Sequence, residues 1–391
     1  MKKSLLFIIP SLSSGGAEKS LITLLELLDY NKYDVDLFLF RKEGLFLPNV
    51  PEQVNIIDGG EKYKAFDGAA SDYIKKQLFR LRFDKVVSRI KYSKAIKKND
   101  RRAMWDYLRK LLVNPTKHYD AAIGYLEGNA NYFCVDCVNA DVKIGYVHND
   151  YSKLGMSVKF DTPFFTQLNS IVSVSAECTE VLKKKFPDFE EKIFTVENIS
   201  SPGVLKKFAY KTPEEYEGVN SKLLLTVGRF SPQKGYDIAV EAARIMNENG
   251  VDFKWFSIGK GVLKSEIEAK INEYGLQDRF ILLGERANPY PYIDCCDIYV
   301  QPSKFEGKSI AVDEAKCFAK PIVATKFSTV YDQLEDNKTA LLAEIDAQSV
   351  AQKITQLIND TELCEALSNT LRHTHTGNEE ELEKFYALLE G

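Results

Sequence analysis

The sequence contains no hydrophobic run long enough for a membrane, no cysteine framework and only four histidines in 391 residues. The longest apolar run near the start, Leu5 to Ile9, is far too short to span a bilayer and passes at Pro10 into a small, polar loop that is no cleavage site. Neither a secretion signal nor a transmembrane helix is expected. The seven cysteines (Cys134, Cys137, Cys178, Cys295, Cys296, Cys317, Cys364) are odd in number, scattered and mostly set in apolar segments, so they read as reduced thiols in a cytoplasm. Cys134-Val-Asp-Cys137 is a CxxC without the second pair or histidines of a structural zinc site, and no metal is expected. The dinucleotide fingerprint G-x-G-x-x-G is missing too. With 45% hydrophobic and 28% charged residues, disorder, collagen-like repeats and coiled coil are excluded.

At roughly 150 residues per domain the length implies two or three domains, with a cleft between two as the starting expectation. The net charge of -4 hides an asymmetry, because Ser71 to His118 holds fifteen Lys or Arg against four Asp. That stretch carries +11 and the remainder -15.

Strand-like runs at Ser4–Ile9, Val35–Phe40, Ala121–Tyr125, Lys143–Val147, Ile171–Val174 and Ile193–Val196 alternate with helical periods and predict a doubly wound parallel sheet. A Pro-, Gly- and Glu-rich stretch without apolar period predicts an interdomain linker over 201–220, leaving 1–200 as the N-terminal domain with a basic helical insertion at 70–118. From Leu223 the alternation restarts, with strands at Leu223–Val227, Lys254–Ile258, Phe280–Leu283, Ile298–Gln301 and Pro321–Ala324. A second α/β domain is expected over 221–370, with 371–391 a C-terminal helix returning to the first domain.

Three strand ends carry candidate chemistry. Gly15-Gly16 follows the first strand, where backbone amides and a helix start can approach an anion; a plain tight turn is the alternative. Gly228-Arg229 and Lys234-Gly235 follow the strand that opens the second domain, and one guanidinium with one ammonium suits a diphosphate; solvated surface charge is the alternative. The third is Pro302-Ser-Lys-Phe-Glu306-Gly-Lys308-Ser309-Ile310, continuing to Glu314. One carboxylate in a loop, the amides of Lys308, Ser309 and Ile310 opening a helix, and a second carboxylate along that helix describe a sugar-nucleotide site; two surface glutamates around a helix start are the alternative.

These residues, with Gly259, Gly261, Leu283-Gly284, Asp297 to Ser303 and Lys320-Pro321-Ile-Val-Ala-Thr325, resemble glycosyltransferase family 4, whose E-x7-E signature is matched by Glu306 and Glu314. The resemblance implies the GT-B fold, two Rossmann-like domains facing across a cleft, and a retaining, metal-independent transferase with a nucleoside diphosphate sugar as co-substrate and no cofactor. It implies that Glu306 holds donor-sugar hydroxyls and Glu314 the ribose hydroxyls. Arg229 and Lys234 would clamp the diphosphate, the Gly16 amide would approach the same phosphates, and His148, in Gly145-Tyr-Val-His148, would lie beside the donor sugar. UDP is the expected nucleotide from its frequency in the family. The acceptor would be a hydroxyl of a glycan or polyprenyl-diphosphate-linked glycan, in cell-surface polysaccharide synthesis. The family's glycine before Lys320-Pro321 is Ala319 here, read as a packing change.

Two rival readings share the architecture: a catalytically silent scaffold for another transferase, and a sugar-nucleotide epimerase, which lacks the E-x7-E spacing. The basic insertion has two readings as well. Its cations and apolar residues alternate at near-helical spacing, so it forms either amphipathic helices on an anionic membrane at the inner face of the plasma membrane, with Phe79, Phe83 and Trp105 as anchors, or a solvated insertion whose aromatics face the core. No nucleic-acid partner is expected, because no base-reading module accompanies the patch.

Overall fold

The computed structural model describes residues 2–13, 15–67, 70–79, 82–98, 100–306, 308–374 and 377–390. The chain divides into two compact units, Met1–Ile199 with Glu380–Gly391, and Ser200–Glu379.

The first unit holds a seven-stranded parallel sheet in the order β3-β2-β1-β4-β5-β6-β7, with β1 Lys3–Ile9, β2 Tyr33–Leu39, β3 Asn55–Asp58, β4 His118–Gly124, β5 Asn139–Val147, β6 Ser170–Ser173 and β7 Ile193–Thr195. The second holds six in the order β10-β9-β8-β11-β12-β13, with β8 Lys222–Val227, β9 Phe253–Ile258, β10 Phe280–Gly284, β11 Ile298–Gln301, β12 Ile322–Thr325 and β13 Leu341–Ala343. Helices cover both faces, so central strands such as Leu5–Ile9 are buried throughout and read as unbroken apolar runs. In each sheet the strand order reverses beside the opening strand, between β1 and β4 and between β8 and β11. Ligands of doubly wound folds bind beyond the carboxyl ends of the strands at such a reversal.

Helices α1 Gly16–Leu27, α2 Glu61–Asp67, α3 Ala70–Phe79, α4 Phe83–Lys97, α5 Arg101–Leu108, α6 Asn129–Cys137, α7 Val158–Gln167 and α8 Ala176–Lys185 belong to the first unit. Those of the second are α9 Pro202–Phe208, α10 Tyr236–Glu248, α11 Lys264–Glu273, α12 Tyr290–Cys295, α13 Ile310–Cys317, α14 Ala347–Asn359 and α15 Thr361–Thr374. The last helix, α16 Glu381–Leu388, lies on the first unit. Its Phe385 ring stacks on Phe7 at 5.9 Å, Tyr386 stacks on Tyr33 at 5.4 Å, and the Glu197 amide donates to Glu381 Oε2 at 2.9 Å.

The stretch expected as a bare linker is structured. Pro202 at the first position of α9 and a Ser201 hydroxyl accepting from the Val204 amide start a helix there, and Val204, Leu205 and Tyr216 are buried in the second unit. The insertion α2–α5 is likewise anchored. Trp105, expected as a possible membrane anchor, is 1% exposed and its indole N–H donates to Asp136 Oδ2 at 2.8 Å, so it is core. Ala319 sits just past α13 with φ +51°, which makes the family's glycine there a backbone requirement and not a matter of packing.

Candidate active site

The two strand ends flanking the reversal in the second sheet meet. Beyond β8 the loop runs to Lys234 and turns into α10 at Gly235, whose φ is +66° and where a Cβ would stand 1.9 Å from the Pro302 carbonyl oxygen. Only glycine lets the β8 and β11 loops come this close. Lys234 Nζ then reaches Glu306 Oε1 at 2.6 Å, with the two side chains only 15% and 5% exposed.

Glu306 is held from every side. Its Oε1 also accepts from Ser303 Oγ at 2.6 Å and Gln301 Nε2 at 3.2 Å, while Oε2 accepts from Gln233 Nε2 at 2.9 Å. Gln301 is oriented in turn by the Tyr299 hydroxyl, which donates to its Oε1 at 2.9 Å, and its Nε2 donates to Ser303 Oγ at 2.7 Å. Gln301, Ser303 and Tyr299 are all fully buried. Arg229 is exposed on the same loop and makes no ion pair with any described residue.

The start of α13 lies next in the chain. Ser309 is buried, its hydroxyl has no hydrogen-bond partner among the described residues, and the helix has no side-chain cap, so this N-terminus offers both dipole and donors to an anion. The three amides expected to face a phosphate are not equivalent. The Ser309 N–H already donates to Gln333 Oε1 at 2.8 Å, and Gln333 Nε2 donates back to the Ser309 carbonyl at 3.0 Å. Gln333 thereby engages Ser309 on both its N–H and its carbonyl; Gly307 lies outside the described residues. Glu314, one turn along, is buried and accepts from the Tyr290 hydroxyl at 3.2 Å. Burial and the Glu314 carboxylate together hold the Tyr290 phenol well above its usual range.

The first unit has its own cluster at its reversal. Gly16 is the exposed first residue of α1, and a Cβ at Gly15 would lie 2.0 Å from Glu18 Oε2, so the Glu18 carboxylate folds back over the helix start. Burial, opposed by its own backbone amide and reinforced by nearby Glu127, raises the Glu18 pKa. Glu127, beyond β4, accepts from the His148 amide at 2.9 Å and from Asn149 Nδ2 at 2.7 Å. The His148 ring packs against Tyr125 and Tyr146, with centroids 5.0 and 5.6 Å away. Both ring nitrogens are buried and neither makes a well-formed hydrogen bond to a described residue, and burial, opposed by the charge of Glu127 and by a weak interaction with the Tyr125 backbone, pulls the pKa from 6.5 down to about 4. His148 is therefore a neutral imidazole at physiological pH. The CxxC is core: Cys134 is buried and its thiol, pushed up to about 12 by burial, donates to the Ala122 carbonyl.

Gln233, Gln301 and Ser303 stand inside the motif stretches but are given no role of their own by the sequence, and Gln333, Tyr290 and Glu127 are not singled out by it. The usable signal for Gln233, Ser303 and Glu127 is their place just beyond a buried strand.

Residues 211–374, the stretch that contains the Lys234–Glu306 pair, match the family described as Glycosyl transferases group 1. The matched stretch lies wholly within the second unit, Ser200–Glu379. Over 374 residues, 94% of this chain and 93% of its relative, it is 26% identical to the N-acetylgalactosamine-N,N'-diacetylbacillosaminyl-diphospho-undecaprenol 4-alpha-N-acetylgalactosaminyltransferase of Campylobacter jejuni. It is 32% identical to the amylovoran biosynthesis glycosyltransferase AmsK of Erwinia amylovora over 143 residues, 34% of this chain and 35% of AmsK. Among solved structures, a glycosyltransferase from Rickettsia africae superposes with TM-score 0.66 at 17% identity, covering 100% of this chain and 98% of that one. HepE of Anabaena in complex with UDP superposes with TM-score 0.63 at 16% identity, with both chains covered completely. These likenesses carry the fold: two Rossmann-like parallel-sheet domains of GT-B type.

Proposed function

We propose that this transferase moves a sugar, with retention at the anomeric carbon, from a UDP-sugar to a hydroxyl of a glycan or polyprenyl-diphosphate-linked glycan in cell-surface polysaccharide synthesis, as expected of family 4. The observation that carries the proposal is the Lys234–Glu306 pair at the strand-order reversal of the second sheet, next to the uncapped start of α13.

The Lys234 ammonium is paired with the Glu306 carboxylate. A donor diphosphate is a stronger anion and a better partner for Lys234, Arg229 and the helix start at Lys308 and Ile310. Its arrival releases Glu306 for the sugar hydroxyls, while Gln301, Ser303 and Gln233 keep the carboxylate in place. As the anomeric bond breaks, negative charge grows on the leaving diphosphate, and fixed cations and amide dipoles that are already oriented lower the barrier without reorganisation. Glu314 takes the ribose hydroxyls. His148, neutral and ordered by its packing, offers a ring nitrogen to a sugar hydroxyl. The acceptor hydroxyl attacks the face from which the diphosphate departs and gives its proton to a leaving-phosphate oxygen.

The UDP choice and the lipid-linked acceptor draw support from the HepE complex with UDP and from the acceptor in the name of the C. jejuni relative. Incubation of the purified chain with labelled UDP-, GDP- and ADP-sugars and a lipid-linked acceptor tests the reading. Transfer from the UDP-sugar with α-configuration kept and with EDTA present is the expected result. Binding without turnover would point to a scaffold, and isomerised donor to an epimerase; either result overturns the proposal.

A further inference from the structure

The inner face of the α2–α5 insertion is used by the core of the first unit. Tyr63 packs on Phe40 at 5.5 Å, Phe66 packs on Tyr73 at 5.3 Å and on Tyr92 at 5.1 Å, and the buried Arg89 guanidinium lies over the Phe66 and Tyr92 rings. The outer face has no such use. Phe79 is 91% exposed and Phe83 61%, and Leu78, Val87 and Ile90 are exposed beside them. Phe83, Val87 and Ile90 recur at i, i+4 and i+7 and share one side of α4, while Leu78 and Phe79 close α3 just before it. Exposed Arg82, Lys91, Lys94, Lys97 and Lys98 border this side. Arg80 and the Lys76 side chain lie outside the described residues.

We propose that the α3–α4 hairpin docks on an anionic lipid bilayer, with Phe79 and Phe83 entering the headgroup boundary and the α4 lysines resting on lipid phosphates. Aromatic rings at a helix junction, an aliphatic stripe and flanking cations are what such an interface rewards. The occupant follows from charge. A second copy seated face to face would bring two segments of +11 together, whereas an anionic surface complements them and an apolar interior takes the rings. Nucleic acid would satisfy the lysines but leave Phe79, Phe83, Val87 and Ile90 wet. The proposal stands apart from the transfer reaction, because its readout is lipid binding.

The test is sedimentation of the full chain with sucrose-loaded vesicles of phosphatidylcholine, alone or mixed equally with phosphatidylglycerol. Binding is expected for the mixture only, weakening with salt, and each of Lys91, Lys94, Lys97 and Lys98 changed to Gln should lower the partition coefficient about five-fold. Phe79→Ser with Phe83→Ser should lower it at least about ten-fold with little change in thermal midpoint, since both side chains are mostly exposed. Phe79→Trp supplies a second readout, a blue-shifted emission on the mixed vesicles. Indifference to phosphatidylglycerol, full binding by the double serine variant, no emission shift, or self-association that the serine variant abolishes in place of lipid binding would each overturn the proposal.

Discussion

Replacing Lys234 by methionine tests the site through stability and turnover together. The change leaves a carboxylate that is 5% exposed without its cation. Breaking a buried ion pair from one side costs about 3–5 kcal/mol, because the surviving charge stays desolvated. Ser303, Gln301 and Gln233 still donate to Glu306, and hydrogen bonds to a charged group are worth about 1.5–3 kcal/mol each, which brings the expected loss to about 2–3 kcal/mol. For a unit the size of residues 200–379, at about 2–4 °C per kcal/mol, the melting transition of the second unit should fall by about 5–10 °C. Adding Glu306→Gln removes the orphaned charge, so the double variant should return to within about 1 kcal/mol of the parent, a favourable coupling of about 2 kcal/mol. Turnover should show no such rescue and remain down by about 100-fold or more in both variants, since the diphosphate has lost its ammonium. Urea unfolding followed by fluorescence, with initial rates on the same preparations, reads both quantities. Additive stability losses, or rates that recover with stability, would refute the assignment of Lys234 to both partners.

Glu306→Ala should depress transfer and leave UDP affinity nearly intact, whereas Glu314→Ala should weaken UDP binding as well; equal losses of affinity by calorimetry would sink the division of roles. His148, with a pKa near 4 folded against 6.5 unfolded, lets the unfolded chain bind the extra proton between those values. Its contribution is therefore intact above pH 6.5 and lost as pH falls toward 4, by about 3 kcal/mol. A His148→Phe variant with the same acid slope as the parent would contradict this. Ala319→Gly should raise stability by about 1 kcal/mol, because glycine adopts the left-handed backbone that alanine is forced into, and an unchanged or lower urea midpoint would count against the reading.

The alternation of strands and helices was legible because a parallel sheet covered on both faces writes its strands as apolar runs, as in Leu5–Ile9 and Leu223–Val227. The two strands that escaped are edges: Asn55–Asp58 is half-exposed and polar at both ends, and Leu341–Ala343 is three residues long. At the site, Glu306 and Lys234 were marked by their places after strands, but nothing in a linear order says that they pair, since 72 residues separate them. Gln301, at the end of β11, and Ser303, in the loop after it, look ordinary until Tyr299 is seen to orient Gln301 and Gln301 to bond Ser303. Trp105 reads as an amphipathic anchor for the same reason: its partner Asp136 is 31 residues away.

The placement of α16 bears on the order in which the chain can fold during synthesis. The first unit carries Phe385 against Phe7 and Tyr386 against Tyr33, so the domain begun first on the ribosome lacks a piece of its wall until the second has been made in full. The second unit, continuous from Ser200 to Glu379, has no such wait. A nascent chain therefore carries an unfinished first sheet, with Phe7 and Tyr33 uncovered, for the time needed to add some 180 residues, about 10–40 s at ordinary elongation rates. Loss of residues 380–390 would leave that unfinished state permanent, and the damage would fall on the half of the molecule farthest away in sequence from the cut.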